Sequence, residues 1–194
     1  LPVVITSTPQ LKKSLQFCSV RPTPDSAEFS PFIITKSIFF FSISDFKLFK
    51  IFELPESVIY DSKNDVLYVS NITDHPFNKD GTGYISKIGL DGAVIEKKWV
   101  DKLNAPKGLT ISNDKLYIAD VDELVEVDIA TAKVTNKYTG YGSVCMNDVT
   151  ADKYGNVYVG DTYTDTIYRL NQFGQLPAWF YSPQLAPNGL HIDD

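Results

Sequence analysis

The feature that most constrains this chain is an internal repeat. Val66-Leu67-Tyr68-Val69-Ser70-Asn71 aligns with Lys115-Leu116-Tyr117-Ile118-Ala119-Asp120 and with Asn156-Val157-Tyr158-Val159-Gly160-Asp161. The tyrosines stand 49 and 41 residues apart. The segments before them, Ser62-Lys63-Asn64-Asp65, Ser112-Asn113-Asp114 and Asp152-Lys153-Tyr154-Gly155, are rich in residues that tight hairpins favour. A third stretch then follows in each unit: Tyr84–Ile88, Glu123–Val127 and Thr166–Leu170, alternating or nearly alternating in polarity as half-buried strands do. A turn (Asp91-Gly92, Thr131-Ala132, Phe173-Gly174) leads to an outer strand.

Four short strands recurring every ~40–45 residues are the signature of a β-propeller. A solenoid of similar period would show helical spacing, and none is present. The longer first interval is accounted for by an inserted loop from Thr73 to Gly83. The expected fold class is therefore all-β: a partial propeller of three four-stranded blades and the first strand of a fourth, over residues 54–194. Even a four-bladed ring needs ~160–180 residues at this period. The segment is thus expected to be truncated, or completed by another copy of itself through open blade edges that favour association.

Residues 1–50 differ in composition. They carry six Lys/Arg and three Asp/Glu against twelve and twenty-one in the remainder, hold eight of the twelve Phe, and contain no glycine. They are expected to be an atypical segment, a signal remnant or non-native sequence. Lys12-Lys13 followed by Ser14–Val20 resembles a secretory n-region and h-region, which favours a periplasmic or secreted location over the cytoplasm. The apolar stretch from Phe32 to Ile43 carries Lys36 and falls short of the ~20 residues that span a bilayer, so no transmembrane segment is expected. Within it, Ile38-Phe39-Phe40-Phe41 has the character of a strand, or of an aggregation-prone run if exposed. The net charge of −6 argues against a nucleic-acid partner.

In a propeller the first strand of each blade lines the central tunnel. The segments opening the units are Pro55-Glu56-Ser57-Val58, Pro106-Lys107-Gly108-Leu109, Met146-Asn147-Asp148-Val149 and Pro187-Asn188-Gly189-Leu190. Superposed, they bring Glu56, Lys107, Asn147 and Asn188 toward one axis. A carboxylate and two amide carbonyls form a hard oxygen set of the kind calcium prefers, while a lysine in the same ring opposes a cation unless it points elsewhere.

Leu54-Pro55-Glu56, Asn147-Asp148 and Pro187-Asn188-Gly189-Leu190 resemble the SMP-30/gluconolactonase/LRE-like propellers, whose relatives include paraoxonases and diisopropyl-fluorophosphatase. The resemblance covers about residues 54–194 and implies a six-bladed parent. It also implies a metal-dependent hydrolase acting on a small-molecule lactone or ester, with calcium, or zinc, held by Glu56, Asn147 and Asn188. A further Asp ligand would open the blade after Asp194. Asn147, Asp148 and Lys107 would serve the substrate, Lys107 as a donor to a substrate oxygen.

The alternative is a non-catalytic propeller binding a peptide, sugar or protein, since fold alone does not fix function. Asn188-Gly189 and Asn147-Asp148 are also ordinary turn pairs. Cys145, in an apolar run, is expected to be a small buried side chain, His75 to be exposed, and His191 to pack in a first strand. An EF-hand register around Gly81 puts Pro76 at the first ligand position and Lys87 at the last, and no Gly-x-Ser-x-Gly elbow is present.

Overall fold

Strand pairing along this chain follows the turn chemistry. Asp61 accepts hydrogen bonds from the Lys63 and Asn64 amides (3.0 and 3.2 Å) and closes the first hairpin. Asp152 does the same with the Tyr154 and Asn156 amides (2.9 and 2.8 Å). Each carboxylate ties down the amides that a reversing backbone leaves unpaired.

The computed structural model describes residues 3–5, 14–16 and 52–192. Two short strands come first, β1 (Val3–Ile5) and β2 (Ser14–Gln16). Blade one follows as β3 (Leu54–Asp61), β4 (Val66–Ile72), β5 (Gly83–Gly89) and β6 (Val94–Leu103). Blade two is β7 (Pro106–Ser112), β8 (Lys115–Asp120), β9 (Glu123–Asp128) and β10 (Lys133–Thr139). Blade three is β11 (Met146–Ala151), β12 (Val157–Asp161), β13 (Thr166–Arg169) and β14 (Ala178–Tyr181), and β15 (Leu190–Ile192) opens a fourth unit. Every blade is an antiparallel meander in chain order, as expected for a partial all-β propeller.

The N-terminal strands add to this plan. β2 pairs antiparallel with β3, making the first sheet five-stranded, and β1 pairs with β15. The strand that opens the fourth unit thus takes its partner from the start of the chain. Ser14–Gln16, inside the stretch that resembles an h-region, is a strand here. The Lys12-Lys13 pair, Cys18 and the Phe32–Ile43 run lie outside the described residues. Among the described residues no helix is long and apolar enough to cross a membrane.

Because side chains alternate along a strand, each middle strand supplies both faces of its blade. Val66 and Tyr68 of β4 meet Leu116 and Ile118 of β8 in the core between blades one and two, where Tyr68 stacks on Trp99 with centroids 4.4 Å apart. Tyr117 and Ala119 of β8 turn the other way and meet Val157 and Val159 of β12. Tyr158 then joins Ile167 and Leu190 against the fourth unit. Apolar residues on both faces explain why the centre of each repeated hexamer, Leu67-Tyr68-Val69, Leu116-Tyr117-Ile118 and Val157-Tyr158-Val159, is an unbroken apolar run: each blade is sandwiched between neighbours.

The outer edge of blade two is held by a polar contact. Glu126 of β9 is nearly buried and accepts from Thr135 Oγ1 (2.7 Å), Tyr138 Oη (2.8 Å) and Asn136 Nδ2 (3.1 Å), all on β10. Burial pushes its carboxyl up, but hydrogen bonds from Thr135, Tyr138, Asn136 and Tyr117 outweigh this and leave it below the usual glutamate value. A folded-state pKa below the unfolded one gives stability that is present above the unfolded pKa and lost as pH falls through the folded one. The urea midpoint is therefore predicted to drop between roughly pH 5 and pH 3. Glu126→Gln should lower the midpoint at neutral pH and flatten that acid dependence; an unchanged acid slope would dismiss Glu126 as its source.

Candidate functional site at the tunnel mouth

The three complete inner strands share a local irregularity that positions their side chains. In blade one, Pro55 and Val58 pair with Asn71 and Val69; in blade two, Pro106 and Leu109 pair with Asp120 and Ile118. In blade three, Met146 and Asp148 pair with Asp161 and Gly160. Each time the inner strand carries one residue more than its partner, the definition of a β-bulge, which bends a strand and re-aims a side chain. Glu56, Lys107 and Asn147 all lie within these bulges.

A second device sets the loops that lead into them. Asp120, at the end of β8, is fully buried and accepts from the Asn104 and Ala105 amides (2.9 and 2.7 Å), just ahead of Lys107. Asp161, at the end of β12, accepts from the Val144 and Cys145 amides (2.6 and 2.9 Å), just ahead of Asn147. Its other oxygen receives the Tyr163 and Thr164 amides (both 3.0 Å). In blade one the same position is Asn71, whose Nδ2 donates to the Val69 carbonyl and Ser86 Oγ. Burial pushes the Asp120 carboxyl up, and its two amide donors pull it back.

The inner strands abut. A Cβ on Gly108 would stand 2.4 Å from Asp148 Oδ1 and 2.9 Å from the Asn147 carbonyl oxygen, so blade two passes blade three with no room for a side chain. Asp148 is buried; its Oδ2 accepts the Leu190 amide at 2.6 Å and its Oδ1 accepts its neighbour Val149's amide at 2.9 Å. The carboxylate assigned to the substrate in the sequence reading therefore also joins blade three to the fourth unit. Thr162 Oγ1 donates to the Pro187 carbonyl (2.7 Å), and Pro187 fits against Gly160, the small residue of the repeat.

Glu56 and Lys107 are both buried, at 8% and 3% exposure. Lys107 Nζ donates to the Ala105 carbonyl at 3.1 Å. Burial holds its ammonium below the usual lysine range, opposed by the nearby Cys145, Glu56, Asp120 and Asp161. Glu56 is thus one of four groups whose charge acts on the buried Lys107 ammonium. Asn147 is half-buried and Asn188 is exposed. Cys145 is a buried free thiol, raised by burial with Lys107 working against the rise; His75 is exposed. Among the described residues, no three His, Cys, Asp or Glu side chains are grouped to hold a metal ion.

No known sequence family and no curated protein matches this chain. Solved structures do. One in a nidogen/laminin complex is 18% identical (TM-score 0.53; 71% of this chain, 50% of that one). A gluconolactonase from Xanthomonas campestris is 13% identical (TM-score 0.52; 68% and 48%). The WD40 β-propeller domain of Doa1 is 14% identical (TM-score 0.50; 66% and 42%). The fold is a β-propeller. The chain spans half or less of the length of these structures, and at such identities the likeness extends to the fold and no further.

The bulges and the two aspartate anchors were missed in the sequence, although Asp120 and Asp161 close the repeated hexamer in two blades and so carried a signal. Gly108→Ala should lower unfolding stability by about 1–3 kcal/mol, because Asp148 and the Asn147 carbonyl must move. An unaltered urea midpoint would contradict the close strand-on-strand approach.

Proposed function

We propose that this chain is part of a lactonase-type hydrolase whose site is the tunnel mouth, acting on a small-molecule lactone or ester. The observation that carries the reading is the burial of Glu56 in an inner-strand bulge, at the repeat phase that Lys107, Asn147 and Asn188 share. Glu56, Asn147 and Asn188 offer only oxygen donors, which suits a hard divalent ion, calcium before zinc. When bound, such an ion would polarise a carbonyl oxygen as a Lewis acid.

The chain's own residues supply the rest. Lys107, fixed by the Ala105 carbonyl and by burial, presents a donor to a substrate oxygen. Asp148, held by the Leu190 and Val149 amides, keeps the Asn147 bulge in place. The surrounding burial excludes water and strengthens each of these interactions.

A second reading has an observation in its favour. Glu56 is among the groups whose charge acts on the buried Lys107, so a positive charge already stands near the carboxylate where an ion would have to bind. On that reading the propeller is a non-catalytic module for a peptide, sugar or protein.

Calcium titration by calorimetry separates the two. The hydrolase reading predicts saturable binding with a Kd between about 10⁻⁵ and 10⁻³ M, abolished by Glu56→Gln. Lys107→Met should tighten it by roughly tenfold, because a like charge is removed. Absence of calcium and zinc binding in both the parent and Lys107→Met proteins would leave the binding-module reading.

A further inference from the structure

The sequence holds one Asn-Gly pair, Asn188-Gly189, in the connection between β14 and β15. The backbone is clamped on either side of it. On one side the Pro187 carbonyl accepts the Thr162 hydroxyl at 2.7 Å, and the proline ring sits against Gly160. On the other the Leu190 amide donates to Asp148 Oδ2 at 2.6 Å. Between the clamps Asn188 is exposed and Gly189 half-buried, and neither belongs to a strand or a turn.

The polar groups of this pair are uncommitted. Among the described residues the Asn188 side-chain amide makes no hydrogen bond, and the Gly189 N–H has no acceptor. Other asparagines in loops are held at both ends of the amide. Asn156 Nδ2 donates to Asp152 Oδ2 and its Oδ1 accepts from Arg169. Asn171 Nδ2 donates to Gln175 Oε1, and its Oδ1 accepts the Phe173 and Gln175 amides. The two Asp-Gly pairs, open to the same ring closure, are held as well: Asp80 accepts the Thr82 amide and Asp91 the Ala93 amide.

This exposed, unbonded pair has a reaction open to it. Glycine has no Cβ to obstruct its own nitrogen, so the Gly189 nitrogen, on losing its proton, can bond to Asn188 Cγ. The Cγ–Nδ2 bond breaks, Nδ2 leaves as ammonia, and a five-membered succinimide ring remains. Water then opens the ring at one carbonyl to give aspartate, or at the other to give isoaspartate, in which the main chain runs through Cγ.

We infer that Asn188 is a site of spontaneous deamidation, and that its isoaspartate product frees β15 from blade three. Isoaspartate adds a main-chain atom to a two-residue bridge fixed at both ends, so the Thr162–Pro187 and Asp148–Leu190 bonds no longer fit together. Leu190, which packs with Tyr158 and Ile167, is then released. Aspartate keeps the backbone length and adds only an exposed charge. The reaction needs neither an ion nor a substrate, so it stands or falls separately from the hydrolase reading.

The test is to age the purified chain in metal-free buffer and follow it by peptide mass spectrometry, isoaspartate methyltransferase labelling and hydrogen exchange. Asn188 should convert before any other asparagine, faster as the pH is raised because the attacking nitrogen must lose its proton. In the isoaspartate fraction the Leu190 amide should exchange roughly tenfold faster or more, and the urea midpoint should fall. Asn188→Gln, aged identically, should keep both properties, and Asn188→Asp should match the fresh parent. Asn188 intact after other asparagines have converted would overturn the assignment. So would an isoaspartate fraction in which Leu190 stays protected, or an Asn188→Asp protein that exchanges as fast as that fraction.

Discussion

The structure depends on a buried carboxylate at the end of a blade's second strand, bonded to two amides of the loop that enters the same blade. Asp120 holds Asn104 and Ala105 in this way, and Asp161 holds Val144 and Cys145. A loop crossing from an outer strand to the tunnel leaves amides that no ladder can satisfy, and leaving one buried and unpaired costs about 1–3 kcal/mol. The aspartate removes that penalty and fixes where the inner strand begins. The bulge follows within the next few residues, and with it the direction of Lys107 and Asn147. Anchor, bulge and site residue form one local unit, repeated in blades two and three.

The arrangement carries an electrostatic consequence. Anchoring carboxylates at the mouth puts negative charge beside the tunnel, and Lys107 is buried among it, with Glu56, Asp120 and Asp161 all acting on its ammonium. A buried lysine is tolerated only where such partners oppose its desolvation. Whether the mouth takes a divalent ion or relies on the lysine for charge balance is thus a question about one pair of side chains, Glu56 and Lys107.

Much of this was legible in the sequence. The Tyr-centred hexamers, the hairpin turns and the alternation of the third strands foretell three blades and the opening of a fourth; of the residues that open the units, Glu56, Lys107 and Asn147 fall in the inner-strand bulges and Asn188 is exposed. The bulges were not legible, because an extra residue shows only once two strands are in register. The aspartate anchors join residues some sixteen positions apart; their recurrence at the end of two hexamers marks the position, but the amides they bind are visible only once the entry loop is folded against them. The pairing of Val3–Ile5 with Leu190–Ile192 spans nearly the whole chain and leaves no periodic trace. Phe77, in the Thr73–Gly83 insertion, meets Tyr163 of blade three edge-on with ring centroids 5.4 Å apart, and this too was hidden: the insertion was visible, but its reach depends on how closely the blades pack.

The measurement that tests this account most directly is a double-mutant cycle on unfolding stability, using Glu56→Gln, Lys107→Met and the pair. If the anchored entry loops bring the two charges into one buried ring, the cycle should yield a coupling of about 0.5–3 kcal/mol, with the double variant more stable than the sum of the single losses implies. Strict additivity would mean that Glu56 and Lys107 do not share the tunnel mouth, and the site built on them would have to be abandoned.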